Sequence, residues 1–139
     1  PSPADYSPEL SRPFRGLHVW VPLMLHGAAA FREALSERMR MARWAYAQLQ
    51  ERDLELLAPP SLSAFGFRLQ RRDDESLDAW NRRNRALQDA VNARQRVHLS
   101  STQLPVSDGM AFTLRICVVS FRTTDRDMAN FIEDVDASL

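Results

Sequence analysis

The chain has 139 residues, a length typical of one domain, and 45% of them are apolar. Eighteen basic residues balance eighteen acidic ones, so no net charge attracts nucleic acid or an anionic membrane surface. All the basic residues are arginine, and a chain without lysine has no side-chain amine to form a Schiff base with a carbonyl group.

Cys117 is the only cysteine, which excludes an internal disulfide and favours a reducing, cytoplasmic location. Because it lies in an apolar stretch, we expect it to be a small buried residue; a catalytic thiol would need a partner such as His98. The apolar run 16–31 is interrupted by Pro22 and is shorter than the ~20 residues that cross a bilayer. We therefore expect a buried helix and no membrane association. The chain opens on Pro1 without a methionine, as a processed product or a fragment would.

Prolines, one glycine and a helical apolar period predict the N-terminal elements. Four prolines within residues 1–13 favour an extended arm. Gly27 separates a first helix near 14–26 from a longer one near 28–52, and we expect Pro22 to kink the first. In the longer helix, apolar residues recur at three- and four-residue steps, as they do on one buried face. These residues are Phe31, Leu35, Met39, Ala42, Tyr46 and Leu49.

Farther along the chain the apolar period changes from 3.6 to 2, the period of a strand with one buried face. Phe65, Phe67 and Leu69 alternate with small or polar residues, and the apolar run 54–58 is a candidate partner strand. Two longer runs predict a hairpin through a five-residue connection. They are 97–104 and 110–119, joined around Asp108-Gly109.

Capping residues and apolar seams predict two further helices. Asp73 or Asp74 is a candidate N-cap for a helix near 75–93, and Thr123 or Thr124 for the final helix. The seam of the first of these helices consists of Leu77, Trp80, Leu87 and Val91, with Asn84 on the same face. Helices on one face of a small, mostly antiparallel sheet would bury all these patterns, which predicts an α+β fold.

Arg115 breaks the pattern of the second hairpin strand. It falls on the face opposite to Leu114 and Ile116, among small and apolar neighbours. An unpaired buried charge costs several kcal/mol, so Arg115 requires an anion if this face is covered. The alternatives are an exposed sheet face or an internal partner such as Glu133 or Asp134.

One segment resembles a known family: residues 11–31, with the sequence SRPFRGLHVWVPLMLHGAAAF. It is similar to the arginine-rich segment and following helix of the pyridoxal-phosphate-dependent group II amino-acid decarboxylases, particularly the aromatic-L-amino-acid decarboxylases. Their pattern is Ser/Gly-Arg-x-Phe-Arg-x-Leu-x-x-Trp; Pro13 and His18 stand where arginine and lysine are frequent. The similarity continues through the closing strands and last helix, and it covers nearly this whole chain but only the last third of such an enzyme. The matching positions are Ser11, Arg12, Phe14, Arg15, Leu17, Trp20 and Gly27.

The resemblance implies the C-terminal part of a homodimeric fold-type I lyase, whose large domain carries the reactive lysine and most contacts to pyridoxal phosphate. Residues 1–31 would be an arm and connecting helix toward that domain, and residues 32–139 the small C-terminal α+β domain. Ser11 and Arg12 are implied to bind the cofactor phosphate of the neighbouring subunit, and Arg115 the α-carboxylate of the substrate. The implied reaction converts an aromatic L-amino acid into its amine and CO2. The implied partners are the large-domain polypeptide, a second copy of the enzyme and the small amino-acid substrate.

Other functions fit parts of the sequence. An N-terminal proline is the general base of small tautomerases, but here Pro1 is followed by a polar arm rather than a strand. A non-catalytic α+β module that dimerises through its first helix would bind no cofactor. The arginines within residues 71–85 lie among acidic residues, so we expect a solvated face and no nucleic-acid binding.

Overall fold

The computed structural model describes Asp5 and residues 14–139. The chain divides into two compact units, Pro1–Leu35 and Ser36–Leu139. The domain boundary expected between residues 31 and 32 stays a prediction.

Helix α1 spans Leu17–Leu49 and contains one non-helical residue, Gly27, with φ 74° and ψ 157°. Glycine adopts a positive φ without steric strain because it lacks a Cβ. The break confirms the predicted separation of two helices at Gly27, whereas Pro22 lies inside the helical part before it. Within the described residues, no helix has the length and apolar character needed to span a bilayer.

Large apolar side chains ahead of Gly27 are exposed, contrary to the expectation of a buried helix. An apolar helical run predicts that its side chains are buried, but it does not identify the surface that buries them. The exposed side chains include Phe14, Val19, Trp20, Met24 and Leu25.

Four strands form one antiparallel sheet in the order β1-β2-β4-β3. The strands are β1 Leu54–Leu56, β2 Ala64–Leu69, β3 Ser100–Val106 and β4 Gly109–Cys117. The pairing of β1 with β2 and the β3–β4 hairpin are both confirmed. Val106 lies opposite Gly109, so the hairpin connection has two residues, Ser107 and Asp108, instead of the predicted five.

Helices α2, Leu77–Ala93, and α3, Asp125–Asp136, contribute to one hydrophobic core together with the sheet. Phe67 of β2 meets Phe131 of α3 nearly edge-on, with ring centroids 6.2 Å apart. Alternate residues of β4 enter the same core, as the period of 2 predicts. The core residues include Met41, Leu49, Phe65, Leu87, Leu114, Ile116 and Val135.

Two arginines, one in α1 and one just after it, form ion pairs with the two ends of α3. Arg40 donates to Asp125 at 2.5 Å at the start of α3, and Arg52 forms a two-bonded ion pair with Asp136 in its last turn. Because the earlier residue of one helix meets the earlier residue of the other, α3 and this part of α1 run parallel. The hydrogen bond from Arg52 also keeps the pKa of Asp136 below its ordinary value.

Thr124 is the N-cap of α3, as predicted, and it forms a capping box with Asp127. The Thr124 hydroxyl accepts a hydrogen bond from the Asp127 amide at 3.3 Å, and the Thr124 amide donates to Asp127 Oδ2 at 2.8 Å. These bonds satisfy amides that the first helical turn leaves without partners. The backbone bond from Thr124, followed by its hydroxyl, lowers the pKa of Asp127 from its ordinary value of 3.8.

Helix α2 begins at the N-cap Ser76, whose side chain accepts a hydrogen bond from the Ala79 amide at 3.2 Å. The prediction of Asp73 or Asp74 as N-cap is therefore wrong. A cap reaches the amides of the first turn only from the position directly before it, and Ser76 occupies that position.

Two asparagines of α2 replace hydrogen bonds between β2 and β4. The ladder between these strands stops before Leu69 and Phe112, which the same register would place opposite each other. Instead, the Leu69 amide donates to Asn84 Oδ1 at 2.8 Å and the Phe112 amide donates to Asn81 Oδ1 at 2.7 Å. Helix α2 thus lies where the two strands separate, and its side chains satisfy their free amides.

Candidate functional site

Arg115 lies in β4 on the face of the sheet that points away from the core. Gly66 of β2 and Ser100 of β3 are its direct cross-strand neighbours. Directly opposed residues in antiparallel strands point to the same side, whereas Leu114 and Ile116 point into the core. We call this side the second face of the sheet. It carries Gly66, Arg68, Ser100, Thr113, Arg115 and Cys117.

The backbone and side chains around Arg115 are closely packed and small. A Cβ at Gly66 would lie 2.9 Å from Leu57 Cδ1 and 3.2 Å from Thr113 Cγ2, so β2 presents only backbone beside Arg115. Thr113 is fully buried, but Arg115 itself is exposed. Of the alternatives for Arg115, the structure shows an exposed position, at the β4 end of a face that is buried at Thr113 and Arg68.

The Ser100 hydroxyl makes two hydrogen bonds to Arg115, one to its side chain and one to its backbone. Arg115 Nε donates to Ser100 Oγ at 3.1 Å, and the same hydroxyl donates to the backbone oxygen of Arg115 at 3.2 Å. Ser100 was not among the predicted site residues. The signal was present, because the register of a hairpin with a two-residue turn puts residue 100 opposite residue 115.

Among the ion pairs of the described residues, none includes Arg115. The internal partners considered for it, Glu133 and Asp134, instead bind Arg96. Asp134 is fully buried and also lies 3.8 Å from the Arg94 guanidinium. These two carboxylates therefore bind arginines of the connection between α2 and β3, and the alternative that one of them is the partner of Arg115 is not the arrangement found.

Arg68, the other arginine of the second face, is fully neutralised. Its Nε donates to Glu55 at 2.7 Å, and its guanidinium lies 4.7 Å from the ring centroid of the buried Trp80. An ion pair and a cation–π contact stabilise a guanidinium that is only 7% exposed, and its buried Nη1 has no hydrogen-bond partner among the described residues. The second face thus holds one arginine with a carboxylate and one, Arg115, without.

Cys117 is exposed, so the expectation that it is a buried residue is wrong. Its position at the end of β4 puts it on the second face, beyond the buried Thr113 and the exposed Arg115. Cys117 and His98 line the same pocket of about 210 Å³, together with Thr123 and Asp127. Within the described part of the chain, no three His, Cys, Asp or Glu side chains come together as a metal site would require.

Ser11 and Arg12, the predicted cofactor-binding residues, lie outside the residues that the structure describes. Their proposed role stays a prediction.

Curated relatives match this chain over most of its length. An aromatic-L-amino-acid decarboxylase of Bacillus atrophaeus is 32% identical over 130 residues, which are 93% of this chain and 26% of the relative. A phenylacetaldehyde synthase of Arabidopsis thaliana is 32% identical over 102 residues, 72% of this chain and 20% of that protein. No family model matches the chain.

Solved structures share the fold. The tryptophan decarboxylase of Catharanthus roseus, in complex with L-tryptophan, superimposes with a TM-score of 0.76 at 24% identity, over 91% of this chain and 26% of that one. The Oryza sativa TDC with PLP and tryptamine superimposes with a TM-score of 0.80 at 20% identity, over 99% of this chain and 29% of that one.

This chain therefore spans about a quarter of the length of the curated relative that it matches over 93% of its own residues. The matched part contains the antiparallel sheet, its helices and the position of Arg115. In sequence and in fold, the chain belongs to the pyridoxal-phosphate-dependent group II amino-acid decarboxylases, of which it forms a C-terminal part.

Proposed function

We propose that this chain is the C-terminal segment of an enzyme that decarboxylates an aromatic L-amino acid, in which Arg115 binds the α-carboxylate of the substrate. The names of the relatives support the reaction and the substrate class. The observation that carries the role of Arg115 is its exposed guanidinium, which has no carboxylate partner among the described residues. Arginine has the fork geometry that suits a carboxylate.

The cofactor of this reaction, pyridoxal phosphate, is expected to bind mainly to the large domain. This chain has no lysine and so cannot hold the cofactor covalently, but its free guanidinium fits an anion. When bound, the cofactor accepts the electron pair that is released as CO2 leaves. We propose that Ser11 and Arg12 supply a hydroxyl, amides and a positive charge to the cofactor phosphate, since these are the donors that a phosphate dianion prefers.

The contribution of Arg115 is orientation of the substrate. A carboxylate that leaves as neutral CO2 loses its charge during the reaction, so an ion pair to it weakens toward the transition state. Arg115 therefore binds and aligns the amino acid before the bond breaks, and it does not stabilise the product. We therefore expect the loss of Arg115 to affect amino-acid affinity more than turnover.

We also propose that the enzyme is a homodimer in the cytoplasm. In this proposal residues 1–31 form the arm and connecting helix toward the large domain, and residues 32–139 form the small domain. The exposed apolar side chains before Gly27 support a partner surface there, because contiguous exposed apolar surface is rare on a free protein. The cytoplasmic location is a prediction from the single cysteine.

The test is Arg115→Leu in the full-length enzyme, with Arg72→Leu as a matched control at another exposed arginine. We expect the variant to keep its visible cofactor absorbance and to bind the amino acid about 10- to 100-fold more weakly, because a charge-assisted contact contributes about 1.5–3 kcal/mol. The amine product has no carboxylate, so its affinity stays unchanged. Equal amino-acid affinity in Arg115→Leu and wild type refutes the role of Arg115, and a full-length protein that takes up no cofactor refutes the decarboxylase.

A further inference from the structure

The contact between Ser100 and Arg115 fixes one edge of the guanidinium. We propose that Ser100 is a positioning residue that occupies Arg115 Nε and so leaves the Nη1/Nη2 end of the guanidinium as the edge that binds the substrate carboxylate. This inference rests on the proposed function of Arg115.

A guanidinium can bind a carboxylate through either of two edges. The side edge uses Nε with one terminal nitrogen, and the end edge uses both terminal nitrogens. Nε carries a single hydrogen, and in this structure that hydrogen points to Ser100 Oγ at 3.1 Å. The terminal nitrogens of Arg115 make no hydrogen bond to the described residues, so only the end edge remains free for two parallel bonds.

Ser100 can act in this way because its own hydroxyl is oriented. The hydroxyl hydrogen is directed to the backbone oxygen of Arg115 at 3.2 Å, and a lone pair of the same oxygen therefore faces Nε. Ser100 lies directly opposite Arg115 in the β3–β4 ladder, so its position is set by backbone hydrogen bonds of the sheet.

Across the other neighbouring strand there is no competing side chain. The residue opposite Arg115 on β2 is Gly66, which offers only backbone. Ser100 is thus the one direct cross-strand neighbour with a side chain that can hold the guanidinium. An arginine that is held before the substrate arrives loses less rotamer freedom on binding.

The experiment uses the full-length enzyme with Ser100→Ala, Ser100→Val and Ser100→Thr. Valine and threonine have nearly the same shape, and only threonine keeps the hydroxyl. The dissociation constants of the amino-acid substrate and of its amine product are measured from the change in cofactor absorbance on binding. We expect the alanine and valine variants to bind the amino acid about 3- to 10-fold more weakly, as for the loss of one hydrogen bond, with the amine unaffected and threonine equal to wild type.

Measurements on Arg115→Leu, alone and together with Ser100→Ala, distinguish a failure of the role proposed for Arg115 from a failure of the role proposed for Ser100. If Arg115→Leu alone leaves amino-acid affinity unchanged, the proposed function of Arg115 fails and the role of Ser100 fails with it. If Arg115→Leu weakens binding but Ser100→Ala and Ser100→Val do not, only the role of Ser100 is refuted. We expect Ser100→Ala to add no loss in the Arg115→Leu background; a full additional loss, or an equal loss for the amine, would show a general structural role and overturn the inference.

Discussion

Asn84→Ala tests whether α2 replaces a missing strand partner. Asn84 is fully buried, accepts from the Leu69 amide at 2.8 Å and donates to the Trp80 carbonyl at 3.0 Å. Its truncation leaves a part-buried amide without an acceptor, which costs about 1–3 kcal/mol, and removes packed atoms at a cost of roughly 1 kcal/mol. We expect the free energy of unfolding to fall by about 2–4 kcal/mol, corresponding to a change of about 30- to 700-fold in the unfolding equilibrium.

Urea unfolding measures this loss, and amide hydrogen exchange at Leu69 locates it. Asn81→Ala is the matched control, because Asn81 makes the equivalent bond to the Phe112 amide but is only half-buried. Water can replace its oxygen, so we expect a loss of about 0.5–1.5 kcal/mol. An Asn84→Ala variant that is no less stable than Asn81→Ala, or that leaves exchange at Leu69 unchanged, would refute the explanation.

Two further predictions concern the stability of the chain in acid and the close packing around Gly66 on the second face. The folded pKa of Asp127 lies below 3.8, so its capping contribution is fully present above that pH and is lost as the pH falls through the lower folded value. In urea titrations at a series of pH values, Asp127→Asn should therefore show a smaller loss of stability in strong acid than wild type, and identical pH profiles would contradict this. Gly66→Ala should destabilise the chain by about 1–3 kcal/mol, because the new methyl would lie 2.9 Å from Leu57 Cδ1 and 3.2 Å from Cγ2 of the fully buried Thr113, a stiff β-branched side chain with little room to move. An unchanged melting temperature would mean that both side chains move aside freely.

Local patterns predicted the helices and strands well because each has its own period of apolar residues or is bounded by a residue such as glycine. The alternation of Phe65 and Phe67 predicted β2, and the glycine at position 27 predicted the break in α1. The same alternation assigned Arg115 to the face away from the core, where it lies. These features depend on neighbours within a few residues, which the sequence contains directly.

The wrong predictions concern burial and bonding partners, which depend on packing between residues far apart in the sequence. Cys117 has apolar neighbours in sequence, but its exposure depends on which face of the sheet the helices cover. Asn84 was correctly placed on the inner face of α2, yet its bond to Leu69 depends on where β2 and β4 separate. The alternative ion pairs for Arg115 failed because Arg96, 38 residues from Asp134, reaches that carboxylate instead.

The parallel arrangement of α3 with the part of α1 that belongs to the second unit, residues 36–49, has a consequence for the order of folding. The contacts of Arg52 with Asp136 and of Arg40 with Asp125 join residues separated by 84 and 85 positions. The β3–β4 hairpin can form early because its strands are adjacent in sequence, whereas these contacts require almost the whole unit to be present. Leu49 and Phe131 share the core, so its closure has to wait for the last helix to leave the ribosome. During synthesis the apolar side of the sheet is therefore exposed for longest, and this is the stage at which the nascent chain is most prone to aggregate.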